Sequence, residues 1–361
     1  MKELIIEKEK LLSNIGIIKK KAKNARIIAV LKANGYGIGA VNLATILKSY
    51  GINFFAVATL EEAISLREEG IKEEILLLCS TSEESDIDNI IKYNITPTIG
   101  SIAVAAALNG ALERLDQTIN AHIEIDTGFG RYGFMPDEID KIASVCDNFS
   151  NIKISGIYSH LSSSFLKKSY TNTQILEFTN IITKLKEQNI EIEMKHIANS
   201  NALFNYDESL FNAVRVGSAF LGRVLAKKTG LQNISYLQTD IKEIKWLPKG
   251  HNVGYGNAYV TKAPTRIAVI NVGYSDGVCI SRDKGLFRFI DKLRYIVNDI
   301  RLSKKSAPSF TLNGKKAYVI ARANVSNIIL DVTNIDCKVS DVCKINANPI
   351  LIKSEIQRIF I

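Results

Sequence analysis

From Ile27 onward the chain repeats one unit eight times: a short apolar run, a turn, then a stretch with helical spacing. The apolar runs fall at 27–31, 54–58, 75–78, 95–99, 121–125, 154–158, 195–198 and 213–216. Runs of four or five apolar residues are too short for a lone helix and suit strands buried on both faces, as in parallel sheets. The stretches between them carry helix signals. Positions 60–69 end at Gly70, 136–147 have Pro136 near the start, and 174–188 set Ile175, Phe178, Ile181, Ile182 and Leu185 in one stripe. Before the first unit, 7–24 reads as an amphipathic helix with Leu11, Leu12, Ile15, Ile17 and Ile18 inward. Eight strand–helix units at this spacing predict a closed (β/α)8 barrel of the TIM type. A doubly wound sheet is the structural alternative.

Beyond Leu225 the texture changes to short, turn-separated strand-like runs at 235–246, 266–272, 316–321, 328–332 and 342–345. The expectation is a barrel over 8–225 and a mainly β domain over 226–361, with residues 1–7 adding a strand to the latter. The segment 282–309 is charged and gives no assignment. A length of 361 residues is long for one domain and fits two.

Composition excludes several classes. A hydrophobic fraction of 46% and a mean hydropathy of +0.05 describe a soluble globular chain, and no apolar run reaches transmembrane length. The N-terminus lacks a basic-then-apolar leader, so a cytoplasmic protein with no membrane association is expected. The net charge of +9 comes from lysines dispersed among acids, with no nucleic-acid motif. The five cysteines are scattered, form no CxxC pair and read as reduced thiols; no metal site is indicated.

Barrel active sites form where strands end and βα loops begin. That places Lys32 after the first run, Arg131 after the fifth and His160 after the sixth. Asn199 and Ser200 follow the seventh run, and Arg215 and Gly217 lie at the end of the eighth. A lysine leaving a buried strand is partly desolvated, which favours the neutral amine needed to form a Schiff base with an aldehyde cofactor. A lone strand-end lysine more often snorkels to the surface, and a lone histidine is more often a satisfied core residue. Convergence at one barrel end raises the functional reading.

The stretch Lys32-Ala33-Asn34-Gly35-Tyr36-Gly37-Ile38-Gly39-Ala40 resembles the cofactor-lysine motif of the alanine racemase family, pyridoxal 5'-phosphate enzymes of fold type III. Asp126-Thr127-Gly128-Phe129-Gly130-Arg131-Tyr132-Gly133-Phe134 resembles a second family motif, and the likeness runs along most of the chain. It implies a (β/α)8 barrel with a β C-terminal domain, a homodimer, and two-base Lys/Tyr racemisation of a small amino acid. L-alanine to D-alanine comes first, with serine or another amino acid as alternatives. By the resemblance, Lys32 carries the cofactor and Tyr36 hydrogen-bonds its phosphate. The Asn199-Ser200 pair and the Arg215-Val216-Gly217-Ser218 turn add phosphate and ring contacts. Arg215 would face the pyridine nitrogen and keep it unprotonated, since two facing cations are costly. His160 would lie against the ring and link to the catalytic tyrosine, and Arg131 would bind the cofactor phenolate and the substrate carboxylate. Tyr255, in Val253-Gly254-Tyr255-Gly256, resembles the family's second base, supplied by the partner subunit. Val272-Gly273-Tyr274-Ser275-Asp276-Gly277 matches a motif near the substrate entrance.

Three departures qualify the match. Glu124 stands where many members carry a lysine, often carbamylated, and would offer Arg131 a negative group directly. Val325-Ser326 replaces a Met-Asp pair whose methionine backbone helps hold substrate, a role Val325 would keep. Between Asn348 and Gln357 the family's Tyr-Glu piece has no equivalent, which should loosen the phosphate grip and enlarge the pocket. Two rivals follow: a catalytically altered cofactor-binding paralogue, and a fold type III decarboxylase, which places a carboxylate where Arg215 stands.

Overall fold

The structure, a computed structural model, describes residues 1–164, 168–257, 259–280, 292–293, 296–297 and 308–361. Most of 282–309, which had no assignment from sequence, lies outside the described residues. The chain divides into two compact units, Glu9–Ile234 and Met1–Lys8 with Ser235–Ile361.

Strand β1 (Lys2–Ile6) belongs to the second unit, and the helix Lys8–Ala22 leads from it into the first. Eight parallel strands follow: β2 (Arg26–Val30), β3 (Phe54–Val57), β4 (Glu74–Leu77), β5 (Thr98–Ile99), β6 (Ile119–Ile125), β7 (Ile152–Ser159), β8 (Met194–His196) and β9 (Ala213–Val216). They form two four-stranded arrays, β4-β3-β2-β9 and β5-β6-β7-β8. The arrays close on each other at two seams. Thr96 pairs with Leu76, its carbonyl accepting the Leu77 N–H at 2.9 Å, and the Arg215 N–H bonds the Ala198 carbonyl at 3.0 Å. This is the (β/α)8 barrel, with every expected strand in its place.

Side chains of alternate residues fill the barrel. Ile28, Val30, Phe54, Ala56, Leu76, Met194 and Ala213 make a buried apolar cluster with Tyr158. Buried polar groups share the interior: Thr98, His122, Glu124, His196 and Arg215. Gly156 makes room for one of them, since a Cβ there would lie 2.5 Å from the His122 ring.

The outer helices differ from expectation mainly at their ends. The helix predicted from Pro136 starts at Ile139, and the one predicted from position 174 starts at Lys168. Its first turns are mostly polar, and the side chains they bury are Thr171 and Gln174, so the apolar stripe begins late. The stretch past Leu225 stays with the barrel because Asn14, fully buried, donates to the Phe220 and Gln232 carbonyls (3.0 and 2.8 Å) and accepts the Gln232 N–H (2.8 Å).

The second unit is built on β10 (Ser235–Leu247), with β11 (Asn252–Val253), β12 (Tyr259–Val260), β13 (Thr265–Ile270), β14 (Ser309–Leu312), β15 (Lys315–Val319), β16 (Ile328–Asp331), β17 (Val342–Ile345) and β18 (Gln357–Phe360). Its main sheet runs β13-β16-β15-β14-β17-β10-β1-β18. A shift in register between Ile241 and Glu243 lets β10 pair β1 and β17 with its first half and β13 with its second, closing the sheet. Strand β1 is held between β10 and the parallel β18. Among the described residues no helix is long and apolar enough to cross a membrane.

Candidate active site

Lys32 leaves β2 just after the Leu31 N–H makes the last pairing bond to the Ala56 carbonyl, at 2.8 Å. The next five residues all have positive φ: Ala33 52°, Asn34 52°, Gly35 64°, Tyr36 55° and Gly37 88°. Left-handed backbone costs roughly 1–2 kcal/mol for each residue bearing an ordinary side chain, and Asn tolerates it better. The turn is therefore strained chiefly at Ala33 and Tyr36. Gly35 is required, since a Cβ there would press on the Ala40 backbone at 3.0 Å. Local bonds hold the turn: Gly35 N–H to Leu31 O (2.7 Å), Gly39 N–H to Asn34 O (3.0 Å) and Ala40 N–H to Asn34 Oδ1 (2.8 Å). Burial, then the charge of Arg131, and after these Arg215, hold the Lys32 amine below its ordinary pKa; Glu62 opposes them. A neutral, nucleophilic amine is thereby favoured.

Arg215 sits on β9 opposite Ile28 of the lysine strand and is buried. Its Nη1 donates to His196 Nδ1 at 2.7 Å and to the His196 carbonyl at 3.2 Å. Its Nη2 donates to the Ser159 carbonyl at 2.6 Å and to His160 Nδ1 at 3.3 Å. The guanidinium also lies 4.8 Å from the centre of the Tyr158 ring. A guanidinium can only donate, so both histidines must accept at Nδ1 and carry their proton on Nε2. His196 Nε2 in turn donates to His122 Nδ1 at 3.0 Å. His122 Nε2 then bears a proton with no partner among the described residues. Burial first and Arg215 second push His160 and His196 well below their ordinary range and His122 down to about 3. Two imidazoles thus bond one permanent cation, and the third, His122, bonds His196 behind them.

Glu124, expected to face Arg131, is bonded instead to Tyr158, whose hydroxyl donates at 3.2 Å and shares a 2.9 Å bond with Thr98. Arg131 acts on it only as a neighbouring charge. Burial raises the Glu124 carboxyl to about 7 against the pull of Arg215 and Arg131. Arg131 lies exposed on the loop after β6, its guanidinium 4.7 Å from the Phe129 ring centre and 5.4 Å from that of Tyr132. That loop is shaped by Asp126 Oδ1, which accepts the Gly128, Phe129 and Gly130 N–H groups at 2.7–3.1 Å. Phe129 also meets the His160 ring edge-on at 4.8 Å.

At the third corner, Ser200 Oγ accepts the Gly217 and Ala219 N–H groups (3.0 and 3.4 Å). Asn199 Oδ1 accepts from Ser164 Oγ, Asn201 N–H and Ala202 N–H, and Ser218 is half-buried in the same turn. The Tyr36 hydroxyl reaches Gly217 so closely that a Cβ there would lie 2.4 Å from it. Burial pushes that phenol up to about 12.

The barrel mouth thus brings together Lys32, Tyr36, His160, Arg131, Asn199, Ser200, Arg215, Gly217 and Ser218. Tyr255 and Val325 lie on the β unit. Tyr255 is 74% exposed in the β11–β12 hairpin, where Gly254 packs against Ala321. The Val325 carbonyl accepts the N–H and hydroxyl of Ser275 (3.1 and 2.7 Å) within the motif predicted for the substrate entrance. Glu62, Tyr158 and His196 belong to the site without having been candidates from sequence. Thr59-x-x-Glu62 is a capping-box spacing and could have drawn notice to Glu62; nothing in a linear sequence places His196 beneath Arg215.

The donor set fits a phosphorylated pyridine aldehyde. Lys32 is a half-buried amine held below its ordinary pKa, and Ser200 and the half-buried Ser218 bring hydroxyls to the Gly217 turn beside the Tyr36 phenol. Among those residues no three metal-binding side chains cluster.

Family profiles for the alanine racemase N-terminal domain and C-terminal domain match residues 6–223 and 234–355. The alanine racemase of Carboxydothermus hydrogenoformans is 36% identical over 275 residues, 74% of each chain, and that of Clostridium novyi 33% identical over 346 residues, 93% of this chain and 83% of its own. The structure of the Clostridium difficile 630 alanine racemase superposes with a TM-score of 0.86 at 26% identity, covering 100% of this chain and 95% of that one. The chain belongs to the alanine racemase family, a family of amino-acid racemases.

Proposed function

We propose that the protein racemises a small amino acid, alanine foremost, with pyridoxal 5'-phosphate held on Lys32 and with Lys32 and Tyr255 as the two proton-transfer groups. The observation that carries this reading is Arg215: the buried group facing the lysine strand is a permanent cation. The bound cofactor would supply an electron sink that acidifies the substrate Cα–H bond, and an unprotonated ring nitrogen makes it a modest one. A carboxylate at that position would suit a decarboxylase; Arg215 opposes that rival.

Each residue then has a defined task. Tyr36 and Ser200, with the Gly217–Ser218 turn, hold the phosphate, and Asn199 braces the turn behind them. His160, neutral, packs beside the ring without adding positive charge. Arg131 binds the substrate carboxylate, and the Val325 backbone closes the pocket. Lys32 Nζ moves a proton at one face of Cα and Tyr255 Oη of the partner subunit moves it at the other, since inversion requires groups on both faces. The short segment between Asn348 and Gln357 leaves room for serine or a larger side chain. The five free cysteines fit a reducing compartment, and a cytoplasmic homodimer is the setting proposed.

Hybrid complementation tests the reading. Lys32→Ala and Tyr255→Phe should each abolish racemisation. Mixed and allowed to exchange subunits, they should regain about a quarter of the wild-type sites, because each hybrid dimer has one whole site. No recovery despite demonstrated exchange would contradict the shared site.

A further inference from the structure

We propose that Glu62 is a positioning residue for Lys32: one carboxylate, bonded at once to the backbone of Ala33, Ala58 and Thr59, locks the left-handed turn that carries Lys32 and Tyr36. The inference deepens the proposed function and rests on Lys32 being the cofactor lysine.

Glu62 occupies the third position of the helix Leu60–Glu68 and forms a capping box with Thr59. A capping carboxylate ordinarily reaches back to the N-cap N–H of its own helix, and Glu62 Oε2 does so, accepting Thr59 N–H at 3.3 Å and Ala58 N–H at 2.9 Å. Helix capping leaves the other oxygen unexplained. Glu62 Oε1 accepts the Ala33 N–H at 2.5 Å, across 29 residues of sequence. Among the described residues this hydrogen bond is the one tying residues 32–36 to another segment of the barrel. It falls on Ala33, one of the two strained positions of the turn, immediately after Lys32. Strain of this kind persists only where the surroundings over-determine it, and Glu62 supplies that constraint from the end of β3.

The same carboxylate sets the field at the amine. Arg131 from the loop after β6 and Arg215 from β9 act on Lys32, and Lys32 acts in turn on His160 at the end of β7. Glu62 is the negative partner, acting to raise the Lys32 pKa while burial and the two arginines lower it. A position-and-charge role therefore predicts an effect that loosening a helix cap alone would not produce.

The test follows covalent capture of pyridoxal phosphate by the cofactor-free protein across pH, read by absorbance, with Lys32→Ala as the baseline for other lysines. In Glu62→Gln the capture midpoint should move to lower pH by roughly half to one unit, because the amine loses its negative neighbour. Exchange of the Ala33 amide proton should quicken by about tenfold or more. Thr59→Ala removes the hydroxyl that caps the Glu62 N–H (3.3 Å) but leaves the carboxylate; it should lower the unfolding midpoint and leave the capture profile unchanged. Capture by wild type with the same midpoint in Glu62→Gln overturns the Glu62 proposal alone. No capture by wild type overturns the assignment of Lys32 and this proposal with it. Should Glu62→Gln fail to fold, wild type decides by NMR: the Ala33, Ala58 and Thr59 amide shifts should titrate with one shared midpoint. An Ala33 shift that does not follow the other two overturns the proposal.

Discussion

Glu124 offers a quantitative check on the electrostatics of the barrel interior. It is 3% exposed, bonded to the Tyr158 hydroxyl, and its pKa rises from 4.5 to about 7 through burial. Between those values the native state keeps a proton that the unfolded chain has released, so stability falls as pH rises from 4.5 to 7 and then levels off. The rise from 4.5 to about 7, at about 1.4 kcal/mol per pH unit, costs about 3.5 kcal/mol in full, of which about 3 kcal/mol is lost between pH 4.5 and pH 8. Glu124→Gln keeps an acceptor for Tyr158 and cannot ionise. His122, His160 and His196, with lowered pKa values, act in the opposite sense: their contribution is present above their unfolded pKa of 6.5 and lost as pH falls through their folded values. Both proteins carry them, so they drop out of the comparison. Urea unfolding at pH 4.5 and pH 8 should show wild type losing about 3 kcal/mol relative to Glu124→Gln. Stability profiles parallel to within about 0.5 kcal/mol would refute an ionisable, desolvated Glu124.

Two further substitutions probe other corners of the site. In Gly217→Ala the new Cβ would fall 2.4 Å from the Tyr36 hydroxyl and 2.5 Å from its Cε2. Denaturation should report a loss of about 1–3 kcal/mol, and fluorescence titration a rise of at least about tenfold in the Kd for pyridoxal phosphate. Arg215→Glu replaces the buried cation with an acid, and racemisation should fall on the order of 10²–10³-fold. Keto-acid formation per turnover should rise, because a protonated ring nitrogen makes a stronger electron sink; a keto-acid yield unchanged from wild type would count against the role given to Arg215.

The barrel was legible because strands buried on both faces write themselves as continuous apolar runs, and each of the eight runs became a strand. Even β5, only two residues long, lies within the predicted run 95–99. Helix starts were less legible. Pro136 suggested a first turn, but the helix begins three residues later at Ile139. Strand β14 lies at the edge of a charged segment with no apolar run before it. In the site, residues that follow a strand end could be located by position, whereas those joined only through space could not. Glu62 touches Ala33 because β2 and β3 are neighbours, and Glu124 answers to Tyr158 rather than Arg131 because adjacent strands bring them into register. The motif at Lys32 named a lysine and a tyrosine but gave no hint that five successive residues would be left-handed.

The central claim is proton exchange at Cα by Lys32 on one face and Tyr255 on the other. The most direct measurement is NMR of L-alanine and D-alanine in D2O with the holoenzyme, alongside polarimetry. Wild type should incorporate deuterium at Cα from both enantiomers as optical activity is lost. Tyr255→Phe should retain exchange with one enantiomer while inversion fails, and Lys32→Ala should exchange neither. A wild-type holoenzyme that binds pyridoxal phosphate but leaves the Cα proton of alanine, serine and larger amino acids in place would contradict it.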